Sequence, residues 1–509
     1  MRLSRDMYHS LREQIEYSNW KDSCKMSAND NLLEKIEPTE VFGFFGEILK
    51  RPHPSGNEVA LSKYLIDFAK ERELEAYCDS EYNVIIKKAA TKGMENRAGV
   101  ILQAHIDMVA IADKDVNIDF NKDSIEAIVD GDFVRANGTT LGADDGIGAA
   151  MILAVLDSKT ISHPAIEAIF TTNEEVGLDG AKALDTSLLQ SRRMINLDSE
   201  DENELVIGCA GGSRAYITYK CSNQISTGDV YEICLDGLKG GHSGIEINKN
   251  HPNANVLMGR ILCELSGKIE LGLSILEGGI RDNAITTSCI AEIVTKNDCD
   301  NELNKFISEL EVCLKREYQV SEPDLSLSVK KISKENTKVI SRDDFNKIIY
   351  LLNMAPNGVL KMSQQVEGMV DTSCNLGILR LNDESFSASF SLRSNQDSSR
   401  LWLEERFKLL AKSLGADVRI DGEYPAWENA GVSDFAKNIA KEYKNITGNE
   451  MNVLCIHAGL ECALFYKKIK DLDAVSIGPK INGVHTTSEA VSIKSVGVIW
   501  ELLKNILAD

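Results

Sequence analysis

Proline is scarce in this chain, 9 residues in 509, which leaves little room for a long disordered segment. No run of about 18 apolar residues exists, so a membrane-spanning helix is not expected. The amino terminus opens on charged residues and lacks the apolar stretch of a secretory signal, which points to a cytoplasmic protein. Basic residues are outnumbered, 56 Lys and Arg against 78 Asp and Glu, for a formal net charge of -22. No Lys/Arg block offsets that excess, so phosphate is repelled and a nucleic-acid partner is excluded. The 12 cysteines show neither the C-x-x-C pairs of a zinc ribbon nor the density of a disulfide scaffold, and read as reduced thiols. No G-x-G-x-x-G follows a strand pattern, which argues against a dinucleotide-dependent enzyme.

What remains is an ordinary globular composition on a chain too long for one compact core. Residues 1–26 are polar and mixed and carry no assignable role. From Asn31 to Leu49 apolar residues recur at helical spacing, and a second helix is expected from Glu58 to Arg72. Then come short apolar runs, Tyr82–Lys87, Gly99–Ala104, Ile166–Thr172 and Met194–Asp198, separated by helical patterns. Strands apolar on both faces that alternate with helices imply a doubly wound, mostly parallel sheet, an α/β fold. Past about Gly212 the texture becomes alternating strands with occasional helices, an α+β lid domain. Two strand-helix-strand runs, 215–295 and 325–420, suggest that it is doubled. The last stretch returns to helix and apolar strand. We therefore expect one catalytic domain in two parts, residues 27–212 and 423–509, interrupted by the lid at 213–422.

Chemistry gathers where the apolar strands end. His105-Ile106-Asp107, Asp144-Asp145, Glu174-Glu175 and Asp198-Ser199-Glu200 all lie at such ends or in turns. Alone, each has an ordinary reading as a core histidine, a helix cap or a solvated turn. Together, at the carboxyl ends of neighbouring parallel strands, they form a pocket of like charge that divalent cations would relieve. One imidazole among carboxylates suits zinc, manganese or cobalt better than magnesium. Two metals fit better than one, because a carboxylate in the glycine-flanked Asp144 turn can bridge ions about 3.5–4 Å apart. Asp107 follows His105 by two and can orient its ring. Of Glu174 and Glu175, one can bind metal while the other takes a proton from water. His485, in a strand-to-loop segment, is a good remaining ligand. His242, in a glycine-rich part of the lid, can polarise a substrate carbonyl, and His457 to Glu461 can line the pocket.

Read together, Gln103-Ala104-His105-Ile106-Asp107-Met108-Val109, Thr139-Thr140-Leu141-Gly142-Ala143-Asp144, Glu174-Glu175-Val176-Gly177-Leu178-Asp179-Gly180-Ala181, Asn196-Leu197-Asp198-Ser199-Glu200, Lys239-Gly240-Gly241-His242-Ser243-Gly244 and His457-Ala458-Gly459-Leu460-Glu461-Cys462 resemble the cytosolic aminoacyl-histidine dipeptidases, also called peptidase D or Xaa-His dipeptidases. The resemblance runs from about Asn31 to the carboxyl end. It implies a di-zinc hydrolase, Co2+ or Mn2+ being substitutes, acting on small peptides and assembled as a homodimer through the lid. His105 and Asp198 would hold one metal, Glu175 and His485 the other, and Asp144 would bridge them. Glu174 would be the general base, Asp107 the orienting carboxylate, and His242 an oxyanion stabiliser that in some relatives comes from the partner's lid. Asn283, Arg393 and Gly459 would contact the substrate termini. An N-acyl amino acid deacylase with the same site is the rival. The chain departs from the pattern at Asp145, where Asn is more usual, at Ala463, where Gly is usual, and at Gly483-Val484-His485-Thr486-Thr487, which replaces a Pro-His-Ser-Pro type run.

Overall fold

The computed structural model describes residues 32–295, 299–364, 366, 368–382, 385–428 and 431–509, with 333–335 described by backbone alone. The extension expected at residues 1–26 lies outside the described residues. The apolar pattern that begins near Asn31 is not one helix. A short turn of 3-10 helix, Leu33–Lys35, is followed by Pro38, and the helix α1 spans Thr39–Leu49. Proline has no N–H to donate and holds the preceding residue out of helical backbone, so the helix begins after it, with the Pro38 carbonyl accepting from the Val41 and Phe42 amides. Helix α2, Val59–Glu71, falls where the spacing places it.

The first large sheet holds β1 (Glu75–Cys78), β2 (Val84–Lys88), β3 (Val100–His105), β4 (Ile166–Thr171), β5 (Arg193–Asn196) and β6 (Glu204–Cys209). From the carboxyl end of the chain come β16 (Asn452–Ile456) and β17 (Asp473–Ser476), in the order β1-β2-β4-β3-β5-β17-β6-β16. The central strands β4, β3, β5 and β17 run parallel, while β2 meets β4 and β6 meets β17 antiparallel. Alternate side chains feed two cores. Val100, Leu102, Ala104 and Phe170 face one with α1, α2 and helix α3 (Ala143–Asp157). Ile101, Ile169 and Met194 face the other, with the helical residues Cys462 to Phe465. Alpha-three is buried on nearly all sides, which is why its sequence shows no polar stripe.

The second sheet has nine strands, β7 (Gly211–Lys220), β8 (Asn223–Asp236), β9 (Leu271–Gly278), β10 (Cys289–Thr295), β11 (Ser326–Ile340), β12 (Gly358–Met362), β13 (Val370–Leu381), β14 (Ser385–Ser394) and β15 (Asp417–Tyr424). Every pairing in it is antiparallel. Its order is β11-β8-β10-β9-β13-β14-β7-β15, with β12 beside β13. The two strand-helix-strand runs are therefore not separate halves. The first strand of the earlier run, β7, lies between β14 and β15 of the later one, and β11 of the later run pairs with β8 of the earlier. A short contact of β9 with β13 joins the whole into one surface. Among the described residues no helix is long and apolar enough to cross a membrane.

Candidate metal centre and substrate pocket

Parallel strands bring their carboxyl ends to one edge, and that edge collects the polar clusters. His105 closes β3, Glu174 and Glu175 follow β4, and Asp198 follows β5. His105 Nε2 lies 3.0 Å from Asp144 Oδ1 and 3.4 Å from Asp198 Oδ1. His485 Nε2 lies 3.2 Å from Asp144 Oδ2 and 2.7 Å from Glu175 Oε1. Asp144 thus stands between the two imidazoles, one oxygen to each. Donor atoms of His105, Asp144 and Glu175 fall within 4.8 Å of one another.

The adjacent aspartates separate at the start of α3. Both depart from helical backbone, Asp144 at φ -84, ψ 107 and Asp145 at φ -109, ψ 32. Asp144 turns to the imidazoles; Asp145 is fully buried, with Oδ2 unpartnered among the described residues. Gly142, at φ +75, has no space for a side chain, since a Cβ there would meet Met108 Sδ at 3.0 Å and His53 Nε2 at 3.2 Å. The turn is gripped by a residue that sequence reasoning missed. Buried Glu489 accepts from the amides of Leu141 at 2.7 Å, Gly142 at 3.1 Å, Ala143 at 2.7 Å and Asp144 at 3.3 Å. It stands four residues after His485, so one loop supplies an imidazole to the cluster and the acceptor that shapes the Asp144 turn.

Asp107 does more than face the His105 ring. The nearest partner of His105 Nδ1 is the carbonyl of Asp107, at 3.0 Å, with the Asp107 carboxylate at 3.5 Å. That carboxylate also accepts from the amides of Glu174 at 2.9 Å and Glu175 at 3.2 Å and from Ser55 Oγ at 2.8 Å. It therefore locks the Glu174-Glu175 turn to the end of β3. A further buried acid, Glu461, accepts from Gln103 Nε2 at 2.6 Å and Thr171 Oγ1 at 2.5 Å beneath the cluster.

Crowding of like charge in a buried place has the expected effect on ionisation. Burial pushes Asp198 up to about 7, Glu461 up to about 8, and Glu174 well above the usual carboxylate range. Burial alone would lower the imidazoles, yet the Asp144 and Glu175 carboxylates push His485 up to about 11, and Asp198, Asp107 and Asp144 raise His105 well above its ordinary value. The cluster draws cationic charge from whatever can supply it. Two imidazoles and several carboxylate oxygens aimed at a common space, with too little positive charge among them, are a donor set that fits divalent cations.

The remaining candidate residues meet in a second group. His242 pairs with Ala284 across a two-residue ladder, beside Asn283, whose carbonyl accepts from the Ser243 amide. Asn375 Nδ2 donates to the carbonyls of Asp282 and Ala284, fixing Asn283 from either side. His242 Nδ1 accepts from the amides of Gly244 and Ile245, which leaves Nε2 to carry the proton. Burial, Arg393 and His485 hold this ring down to about 4, so it is neutral at physiological pH and lies within the electrostatic reach of both groups. Arg393 NH1 donates to Tyr424 Oη at 3.1 Å, and Gly459 packs against the same tyrosine.

His457 ties the two large sheets together. The Asn395 amide nitrogen donates to the Ile456 carbonyl, which turns its oxygen toward His457 Nδ1 at 2.9 Å. Nε2 is then the acceptor for Ser373 Oγ at 2.7 Å. Burial and the nearby Arg393 cation hold His457 down to about 3. Sequence reasoning had this residue lining the pocket; it is a buried connector whose partners, Ser373 and Asn395, carry no local signal.

These strands, this turn and this donor set define a metallopeptidase architecture. The family model of peptidase family M20/M25/M40 matches residues 101–509, and the chain belongs to that family. It is 38% identical over 481 residues to the cytosol non-specific dipeptidase of Escherichia coli strain K12, which covers 94% of this chain and 99% of that protein. The crystal structure of aminoacylhistidine dipeptidase from Vibrio alginolyticus is similar at a TM-score of 0.84 and 37% identity, covering 93% of this chain and 97% of that one. The aminopeptidase PepT of Bacillus cereus has a TM-score of 0.53 at 16% identity, covering 93% and 98% of the two chains, a likeness of fold alone.

Two outcomes follow from this geometry. Glu489→Gln turns an amide NH2 toward two backbone donors, and should cost about 2–4 kcal/mol of stability and weaken divalent-metal binding about 10–100-fold. Metal titration by calorimetry checks it, and unaltered affinity would refute the gripping role. His457 is neutral in the fold to about pH 3 but titrates near 6.5 in the unfolded chain. Its stabilising contribution is complete above pH 6.5 and declines as pH falls toward 3, by about 2 kcal/mol between 6.5 and 5. Denaturant unfolding at these two pH values should therefore show a shallower pH dependence in His457→Asn than in the native chain.

Proposed function

We propose that this chain is a metal-dependent dipeptidase that hydrolyses unblocked dipeptides of broad side-chain choice, Xaa-His included. The observation that carries the reading is the polarity of the site. A carboxylate-rich cluster stands at one pole and the Arg393 guanidinium at the other, with the neutral His242 ring feeling both. A dipeptide with free termini is a short zwitterion, and such a site matches it end for end.

In this reading His105 and Asp198 would hold one divalent ion, Glu175 and His485 a second, and Asp144 would bridge them, zinc suiting the mixed nitrogen and oxygen donors. When bound, the ions would polarise the scissile carbonyl and lower the pKa of water at the site. Glu174, held at the end of β4 by the hydrogen bond that its backbone N–H donates to the Asp107 carboxylate, takes the proton from the attacking water and returns it to the leaving amine. Asp107 keeps His105 and the Glu174-Glu175 turn in register. His242 offers Nε2–H to the carbonyl oxygen as it gains charge. Asn283, Arg393 and Gly459 receive the substrate termini, with Arg393 opposite the carboxylate. We assign residues 27–212 and 423–509 to the catalytic domain and 213–422 to the lid, and infer a cytoplasmic homodimer that meets through the lid. A deacylase on the same centre is not favoured, because the two relatives that match nearly the whole chain at 38% and 37% identity are dipeptidases.

Glu174→Gln should lower kcat about 10²–10⁴-fold while elemental analysis finds the same metal content as in the native enzyme. Full activity in that variant would remove Glu174 as the base. A metal-supplemented assay across dipeptides, tripeptides and acetylated amino acids tests the function itself, and cleavage of the acetylated substrates alone would favour the deacylase.

A further inference from the structure

Tyr424 is absent from every motif that points to the site, yet the fold takes trouble to place it. It ends β15, whose pairing with β7 slips between Asp421 and Tyr424, three residues on one strand spanning two on the other. Gly422, at φ +62, lies inside this bulge. A bulge of this kind re-aims the side chain that follows it. Here it brings Tyr424 opposite Gly212, and Gly212 is also the register partner of Arg393 on β14. Tyr424, Gly212 and Arg393 therefore form one row across three strands.

The middle of that row has no side chain. A Cβ at Gly212 would overlap Tyr424 Oη, and a Cβ at Gly459 would approach Tyr424 Cε2 to 2.7 Å. Two glycines from different parts of the chain thus make the slot that the ring fills. From it Tyr424 Oη accepts the NH1 proton of Arg393 at 3.1 Å. Arg393 is almost fully buried, 8% exposed, and its Nε has no partner among the described residues. With Nε unpartnered, the hydrogen bond to Tyr424 is what gives the buried guanidinium its direction.

We infer that Tyr424 is a positioning residue that fixes where the Arg393 guanidinium sits, and so makes the enzyme selective for substrates whose free carboxylate lies one peptide unit beyond the scissile bond. The inference rests on the reading of Arg393 proposed above. Holding the cation at a fixed distance from the metal cluster favours peptides of two residues and penalises longer ones and those with a blocked carboxyl end.

The test uses the metal-loaded enzyme with alanyl-alanine, alanyl-alanine amide and trialanine. Tyr424→Phe keeps the ring in its slot and removes only the acceptor. It should raise KM for alanyl-alanine about tenfold, the worth of one hydrogen bond to a charged group, with kcat within about twofold of the native value. The loss should be confined to substrates with a free carboxylate, so the preference for dipeptide over amide and over tripeptide narrows. Gly212→Ala, which crowds the ring, should shift the same ratios in the same direction. Arg393→Ala serves as the reference. If it leaves the acid-to-amide preference intact, the carboxylate reading of Arg393 fails and this inference with it. If it abolishes the preference while Tyr424→Phe leaves KM unaltered, or lowers kcat alone, Arg393 stands and Tyr424 is overturned as its positioner.

Discussion

The constraint on which the structure turns is the confinement of like charge at the carboxyl edge of a parallel sheet. Asp144, Glu174, Glu175 and Asp198 are held together by backbone geometry, each only partly open to water. The imidazoles answer part of the excess by taking up protons, but only at the cost of ring nitrogens that would otherwise be ligands. A divalent cation resolves both conditions at once, because it supplies the charge and accepts the nitrogen lone pairs. The supporting residues make sense as answers to that constraint. Glu489 spends a buried carboxylate on four amides to hold the Asp144 turn, and Asp107 does the same for the turn after β4.

The second pole of the site depends on how the chain is interleaved rather than on any single motif. Because β7 is inserted between β14 and β15, Gly212 can stand between Arg393 and Tyr424. The next strands tie that row to the first sheet through Ser373, Asn395 and His457, all buried and hydrogen-bonded with the ring neutral. Residue 457 is two positions before Gly459, so the connector also sets the wall of the pocket. One polar network thus joins the two large sheets close to Arg393. Such a network is valuable when every member is satisfied and costly when one is removed.

The doubly wound sheet was legible because its strands are apolar on both faces and its helices are amphipathic, and the clusters at the strand ends were legible because parallel strands share an edge. The nearness of His105, Asp144 and the Glu174-Glu175 pair could be foreseen on that ground; His485 stood out as a strand-to-loop histidine, and its pairing with Glu175 came only with the family resemblance. The break at Pro38 was also legible in principle; apolar spacing on either side of the proline outweighed it in the reading. Glu489, Tyr424, Ser373 and Asn395 were not legible, since each acts through a partner tens or hundreds of residues away and none sits in a local pattern. The exchange of β7 and β11 between the two runs was hidden for the same reason: strand periodicity tells which face is buried, not which strand is the neighbour.

The departures from the relatives' pattern can be weighed by where the side chains go. Ala463 is fully buried in the core beneath the second face of the sheet, with Cys209 and Phe465 for company, and Val484 packs half-buried against the larger core. Neither is among the side chains of the clustered donors or the partners of Arg393. Asp145 is the more telling case. Its carboxyl is buried beside Gly148, whose missing Cβ leaves it room, and burial first, then the charge of Asp198, drives it well above the ordinary carboxylate range. Asp145 therefore packs behind the turn, and of the two aspartates it is Asp144 that faces the imidazoles.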